Sequence, residues 1–479
     1  MPIKKLFLLT LVCFSSAVFA QQKWNLRTIV DYAMRNNLNI RMSNLQAKNA
    51  ELIFKQSKLS QYPNASFSTS FSANSGSNQN PVTFSRITET YLSSGMQLQS
   101  SADIFNFYSK RNTIAANQWE VQAAQAQTDK LKNDIALSAA NAYLQILLAN
   151  EQLQIARVQL QQSQSQFTTI RKQVKAGAMP ELNASQAEAQ VAMDSANVIN
   201  ASGTVSQSIL NLKAFMNIDA ATAFEVETPA VEQIPVETFA ELQPLDVYNS
   251  ALANQPQQRY NSFKLKAAEK NTASAKGSMY PSLSIFGTLG SGYNNKYQTI
   301  TGINTTINGT LPIGTVNVGG TDYTVYTPNV MNTPLYKKQN YTHQLSDNFR
   351  QSVGLSLSVP IFNGGSLRSN YERSKLNYQS LQLQKDIDDQ KLKQDIYAAY
   401  NAAFVALQKF NTRKKTVESN EKAYDFAQKR FKVGMLSTLE LLTQQNNLLQ
   451  AKLEYSFNHF DYVFKMKVLE FYKGIGLKL

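Results

Sequence analysis

The chain holds two histidines, His343 and His459, and neither lies in a metal-binding spacing. Serines and carboxylates are plentiful, but none sits in a nucleophile elbow or a glycine-rich phosphate loop. The one cysteine, Cys13, lies in the first 20 residues. These residues do not read as an enzyme, and they call for no cofactor and no metal. The polar side chains are left to line, cap or dock, so the elements that carry them come first.

Residues 1–20, MPIKKLFLLTLVCFSSAVFA, have a basic start, a short apolar stretch and small residues at Val18 and Ala20. That is a secretory signal peptide, too short for a membrane span. Leu11-Val12 ahead of Cys13 does not make a lipidation site. The mature chain then has no disulfide. No later stretch approaches the roughly 18 apolar residues of a transmembrane helix, so any membrane crossing must be made by strands. Without Lys4 and Lys5 the chain keeps 45 basic against 33 acidic residues. Export and the scattering of lysines along helices argue for a solvated basic surface and against nucleic acid.

The sequence repeats itself. Ala33–Ser66 matches Ala251–Ser284 at a spacing of 218 residues, including Tyr62-Pro63 with Tyr280-Pro281. From Leu98 and Leu355 onward the spacing is 257, including Ile104-Phe105-Asn106 with Ile361-Phe362-Asn363, and Gly177 with Gly434. The difference, 39 residues, is one insertion in the second copy. So long a period means two copies of a large unit, not a solenoid. Residues 21–240 form repeat 1 and 241–479 repeat 2.

Each copy reads helix, strand, loop, strand, very long helix, tip, helix. The first helices cover about Leu26–Gln61 and Leu245–Met279. Strands follow, at about 63–105 and 281–362. Val353, Leu355, Leu357, Val359 and Ile361 alternate with small or polar residues. Segments of about ten residues with this period suit a tilted membrane strand, although periodicity alone equally allows a half-buried soluble sheet. The loops between paired strands are unequal: about Ala73–Thr90, and a long Gly/Asn/Thr/Tyr-rich loop at 290–350.

Long helices span 107–174 and 364–433, roughly 100 Å each at 1.5 Å per residue. Ile135, Ala139, Ala142, Ile146, Ala149, Leu153, Ala156, Leu160, Ser163, Phe167, Ile170 and Val174 follow by steps of four and three. This is a 3.5-residue coiled-coil seam. Leu392, Ile396, Ala399, Ala403, Ala406, Phe410, Val417, Tyr424, Ala427 and Phe431 continue it in the second copy. Tips at 175–180 and 434–437 turn on Gly177 and Gly434. Return helices run over 181–216 and 438–472.

Two copies give four strands, which cannot close a barrel, and an open edge cannot face lipid. Strands that cross a membrane here require a ring of chains, and a trimer supplies twelve. The whole mature chain resembles the TolC family of outer-membrane efflux proteins. The resemblance rests on Trp24-Asn25-Leu26 after a signal peptide, on Tyr-Pro before a strand in both copies, and on Pro360-Ile361-Phe362-Asn363-Gly364-Gly365. It rests also on Arg430-Phe431-Lys432-Val433-Gly434-Met435-Leu436-Ser437-Thr438-Leu439-Glu440. It implies a mixed fold: a long antiparallel coiled-coil helical barrel plus a trans-subunit 12-stranded transmembrane β-barrel, four strands per chain, with two internal repeats. It implies a homotrimer in the outer-membrane lipid of a Gram-negative cell, extending into the periplasm. There it would dock on a periplasmic adaptor and an inner-membrane pump and export small molecules or proteins. The adaptor-docking tips would be Ala176, Gly177, Ala178 and Val433, Gly434, Met435. The family's acidic constriction positions fall on Asn183 and Glu440, and its arginine and tyrosine locks on Leu436 and Phe431. A ring of three Glu440 carboxylates, or closure by Phe431 and Leu436, is then expected at the pore. A periplasmic coiled-coil scaffold or adaptor without a membrane barrel is the competing reading.

Overall fold

A computed structural model describes residues 24–79, 84–227 and 231–474; the expected signal peptide lies outside them. In chain order the helices are α1 (Leu26–Asn36), α2 (Leu38–Leu59), α3 (Ser109–Lys175), α4 (Glu181–Met216), α5 (Pro244–Asn254), α6 (Pro256–Gly277), α7 (Tyr341–Asp347), α8 (Ser366–Lys432) and α9 (Thr438–Lys473). The strands are β1 (Asn64–Gln79), β2 (Arg86–Phe105), β3 (Ser282–Asn294), β4 (Gln298–Val318), β5 (Thr321–Lys338) and β6 (Arg350–Ser358). The chain is helix-rich and built as a two-part repeat. It divides into two compact units: Met1–Phe54 with Ala115–Lys270 and Lys375–Leu479, and Lys55–Ile114 with Asn271–Ser374.

The first unit is helical. Every seam position of the two long helices is buried or half-buried, and the alanines Ala139, Ala149, Ala403 and Ala406 are among the most deeply buried. The first helix of each copy, expected to be continuous, is broken. Asn37 and Gln255 take extended backbone at the breaks, and Pro256 forces this at the second. Their amides cap the return helices instead. Asn37 Nδ2 donates to Phe215 O at 3.0 Å, and Gln255 Nε2 to Phe471 O and Tyr472 O at 3.1 and 3.2 Å. The carbonyls they reach are among those a helix leaves unpaired at its C-terminus. The segment after α4 is pinned by Lys213, whose buried ammonium donates to Ala220 O and Thr222 O at 2.8 and 2.6 Å. At the matching place in repeat 2 the buried Glu470 accepts from Glu237 N–H at 2.8 Å and from Lys467 at 2.7 Å.

The second unit holds an antiparallel sheet of order β1-β2-β3-β6. Register puts Phe67 opposite Leu98, Leu98 opposite Leu289, and Ile285 opposite Leu355, so apolar residues share one face. Ser68 with Gln97, Gln99 with Thr288, and Ser284 with Ser356 share the other. On that polar face Phe286 lies over Gly354, where a Cβ would stand 2.6 Å from its ring.

The two expected loops are largely strand. The first hairpin keeps its ladder out to Gln79 and Arg86. In the region expected as a loop over 290–350, β4 and β5 pair as a separate two-stranded sheet. Its turn is Gly319-Gly320, both with positive φ, the tight turn that Gly-Gly favours. Thr, Ile, Val and Tyr suit an extended ribbon. Register shifts at Ile300/Gly302, Ile307/Thr310 and Pro312/Gly314 break the period-two pattern that would have marked it.

Candidate functional site

Both helical hairpin tips close in the same way. Gly177 (φ 74°) donates to Val174 O at 2.9 Å, and Ala178 N–H to Gln173 O at 2.9 Å. Gly434 (φ 75°) donates to Phe431 O at 3.0 Å, and Met435 N–H to Arg430 O at 2.9 Å. This is the Schellman closure, which satisfies the last carbonyls of α3 and α8. A Cβ on either glycine would touch nothing within 4 Å, so conformation, not space, selects glycine. Ala176, Gly177 and Ala178 are exposed. Val433 and Met435 are 69% and 70% exposed, and Leu439 beside them is also bare. The second tip thus exposes larger apolar side chains than the first, while Leu182, the counterpart of Leu439, is 65% exposed as well.

The return helices begin differently. Pro180 caps α4 with no side-chain bond; the half-buried Asn183 donates its N–H to Pro180 O at 3.1 Å. At α9 a capping box forms. Ser437 Oγ accepts from Glu440 N–H at 3.2 Å, and Glu440 Oε2 accepts from Ser437 N–H and hydroxyl at 2.9 and 2.8 Å. These bonds, the backbone one first, hold the exposed Glu440 carboxyl below its ordinary range, helped by the charge of Arg430. The spacing Ser437-x-x-Glu440 is itself the signature of this box. Phe431 and Leu436 are half-buried and pack on Tyr424, Ala427, Leu441 and Leu448. Each therefore has a task within its own hairpin.

Polar contacts set one hairpin against the other. Gln190 Nε2 donates to Asn446 Oδ1 at 3.1 Å, and Asn446 Nδ2 returns a bond to Gln190 Oε1 at 3.2 Å, joining α4 to α9. Gln190 also reaches Asp194 Oδ1 at 3.0 Å. Gln166 Nε2 donates to Tyr424 Oη at 2.7 Å, joining α3 to α8. Burial raises the pKa of that phenol. The sequence pattern carries no sign of these amides, which look like ordinary surface residues of a helix. Among the described residues no group of three His, Cys, Asp or Glu could hold a metal ion.

The profile of the family described as outer membrane efflux protein matches residues 29–217 and 247–458. The toluene efflux pump outer membrane protein TtgC of Pseudomonas putida is 22% identical over 458 residues, covering 90% of this chain and 81% of TtgC. A probable outer membrane lipoprotein, SilC of Salmonella typhimurium, is 23% identical over 263 residues. That match covers 55% of this chain and 54% of SilC, about half of each. The crystal structure of CusC superposes with a TM-score of 0.74 at 15% identity, over 95% of both chains.

Proposed function

Since the chain belongs to the outer membrane efflux protein family, a family of outer-membrane channels and not of enzymes, we propose that it is the trimeric exit duct of a tripartite pump. The observation that carries this is the four-stranded sheet with two free edges. β1 and β6 run antiparallel to each other, so β6 of one chain can pair with β1 of the next around a ring. Unpaired edges are excluded from the hydrocarbon. Two chains would close eight strands, a barrel whose interior side chains fill. Three close twelve and leave a lumen lined by the Ser, Thr and Gln face, with the apolar face on lipid.

The tips supply the second half of the reading. Val433, Gly434 and Met435, with Ala176, Gly177 and Ala178, form the surface offered to a periplasmic adaptor, which links the duct to an inner-membrane pump. Small toxic compounds or secreted proteins leave through the duct. Asn183, Glu440, Phe431 and Leu436 form the constriction near those tips, with Glu440 contributing a ring of three carboxylates.

Membrane fractionation followed by planar-bilayer recording tests the reading. The protein should appear in the outer membrane, run as a trimer in mild detergent and give discrete conductance steps. Recovery as a soluble periplasmic monomer would support the coiled-coil scaffold instead and overturn the channel.

A further inference from the structure

The two copies leave the sheet along the same path with different residues. After β2 the backbone passes through Phe107 (φ 47°) and Tyr108 (φ 62°). At the matching places after β6 stand Gly364 (φ 65°) and Gly365 (φ 76°). Left-handed backbone strains any residue with a Cβ and costs glycine almost nothing. Glycine would relax the first junction as it does the second. The rings are held there against that strain, so the reason lies in what they contact.

They contact each other and stop short of a core. Phe105 lies 5.0 Å from Phe107 and 5.7 Å from Tyr108, centroid to centroid, and Phe107 stacks on Tyr280 at 4.8 Å. The approach is close enough that a Cβ on Gly277 would stand 2.7 Å from Phe107 O. Yet Tyr108 remains 58% exposed, and in the second copy Ile361 and Phe362 are 94% and 87% exposed. The band continues the bare apolar face of Leu355 and Leu357. Clustered rings, with one side apolar and phenol tips free, suit the boundary of a bilayer.

Just inside each long helix stands an arginine, Arg111 and Arg368, at matching places of the two copies. Both are exposed, and neither makes an ion pair or hydrogen bond among the described residues. Lys110 is already engaged, by Asp103 at 2.8 Å and Ser60 O at 2.7 Å. Lys276, at the end of α6, is likewise exposed and without a side-chain partner among the described residues. Glu372, one turn beyond Arg368, forms no ion pair with it. Guanidinium forks match phosphate oxygens, and cations without internal partners favour headgroups that carry net negative charge.

We propose that these junctions form a collar that binds anionic phospholipid headgroups of the inner-facing leaflet, with Arg111 and Arg368 holding phosphate and the aromatic band fixing membrane depth. The proposal rests on the channel reading above. The test uses the full-length protein in nanodiscs of phosphatidylethanolamine, alone or mixed with phosphatidylglycerol. It is read by native mass spectrometry and thermal unfolding. Arg111→Gln with Arg368→Gln should keep the trimer and cut phosphatidylglycerol retention about fivefold per arginine, the equivalent of about 1 kcal/mol per basic residue at an anionic surface. Phe107→Gly with Tyr108→Gly should fold normally, since glycine is the second copy's own solution, and lose stabilisation by lipid over detergent. Wild-type retention and lipid-dependent stability in both variants would overturn the collar. Displacement of phosphatidylglycerol by inorganic phosphate would overturn the lipid as its ligand. A wild-type protein that never enters the bilayer would overturn the channel reading itself.

Discussion

Glu440 is bound by its own helix before it meets anything else, and this separates two roles that a glutamate at a constriction combines. Its carboxyl pKa is lowered from the ordinary 4.5 by Ser437. The cap is therefore complete above the unfolded-state pKa and lost as pH falls through the lower folded-state value. The hydrogen-exchange protection factors of the first amides of α9, which remove the intrinsic pH dependence of exchange, should fall across that acid window in the wild type. In Glu440→Gln, which keeps an acceptor but does not titrate, they should be level. An equally level wild type would refute the coupling. Because Gln preserves the cap, a change in cation selectivity in the same variant would report the carboxylate ring alone; unchanged selectivity would remove the ring. At the tip, Val433→Asp with Met435→Asp should weaken adaptor binding at least tenfold, since each buried apolar side chain contributes roughly 1.5–3 kcal/mol. Pull-down with the adaptor measures this; undiminished capture would move the docking surface elsewhere. Gly177 and Gly434 were legible because each closes a long periodic run with a local signal. The Gln190–Asn446 pair was not, because its partners lie 256 positions apart and nothing near either residue marks burial.

At the scale of elements, the coiled-coil seam read clearly because a 3.5-residue period repeated over many turns outweighs local exceptions. The breaks at Asn37 and Gln255 escaped it because both helices resume at once and keep their apolar faces. The tertiary task of the two amides, capping α4 and α9, accounts for the break at Asn37, and Pro256 adds a local cause at Gln255. The β4–β5 ribbon was hidden for a different reason. Its three register shifts move apolar residues from one face to the other, so alternation fails along the strand although pairing is maintained. That ribbon shares no ladder with the four-stranded sheet. Replacing residues 298–338 by a short turn should therefore leave the β1-β2-β3-β6 sheet and the outer-membrane trimer intact. Heat-modifiable migration on gels and the β signal in circular dichroism measure this. Loss of the trimer would mean that the ribbon itself joins neighbouring chains.

For the whole molecule, duplication and closure together decide symmetry. Each chain offers β1 and β6 as free, mutually antiparallel edges, and a ring that satisfies both edges of every chain has no free edge left. The copies differ: only the second carries the long ribbon, the glycine pair at 364–365 and the capped glutamate. On the reading proposed above, a ring of three such chains has threefold symmetry with only pseudo-sixfold repetition. The single cysteine, Cys13, falls in the expected signal peptide, so introduced thiols report cleanly. Cysteines scanned over Ser66, Ser68 and Ser70 on β1 against Ser352 and Ser356 on β6 place both partners on the polar face. Oxidation should give a non-reducing ladder that ends at three chains, in one register of the scan and not in the others, because a two-residue shift carries the partner about 7 Å along the strand, beyond the roughly 4 Å Cβ separation a disulfide needs. A ladder that ends at two chains would close eight strands and remove the lumen. A ladder that continues past three would mean an open, filament-forming edge. Either result would break the step from free edges to a twelve-stranded duct.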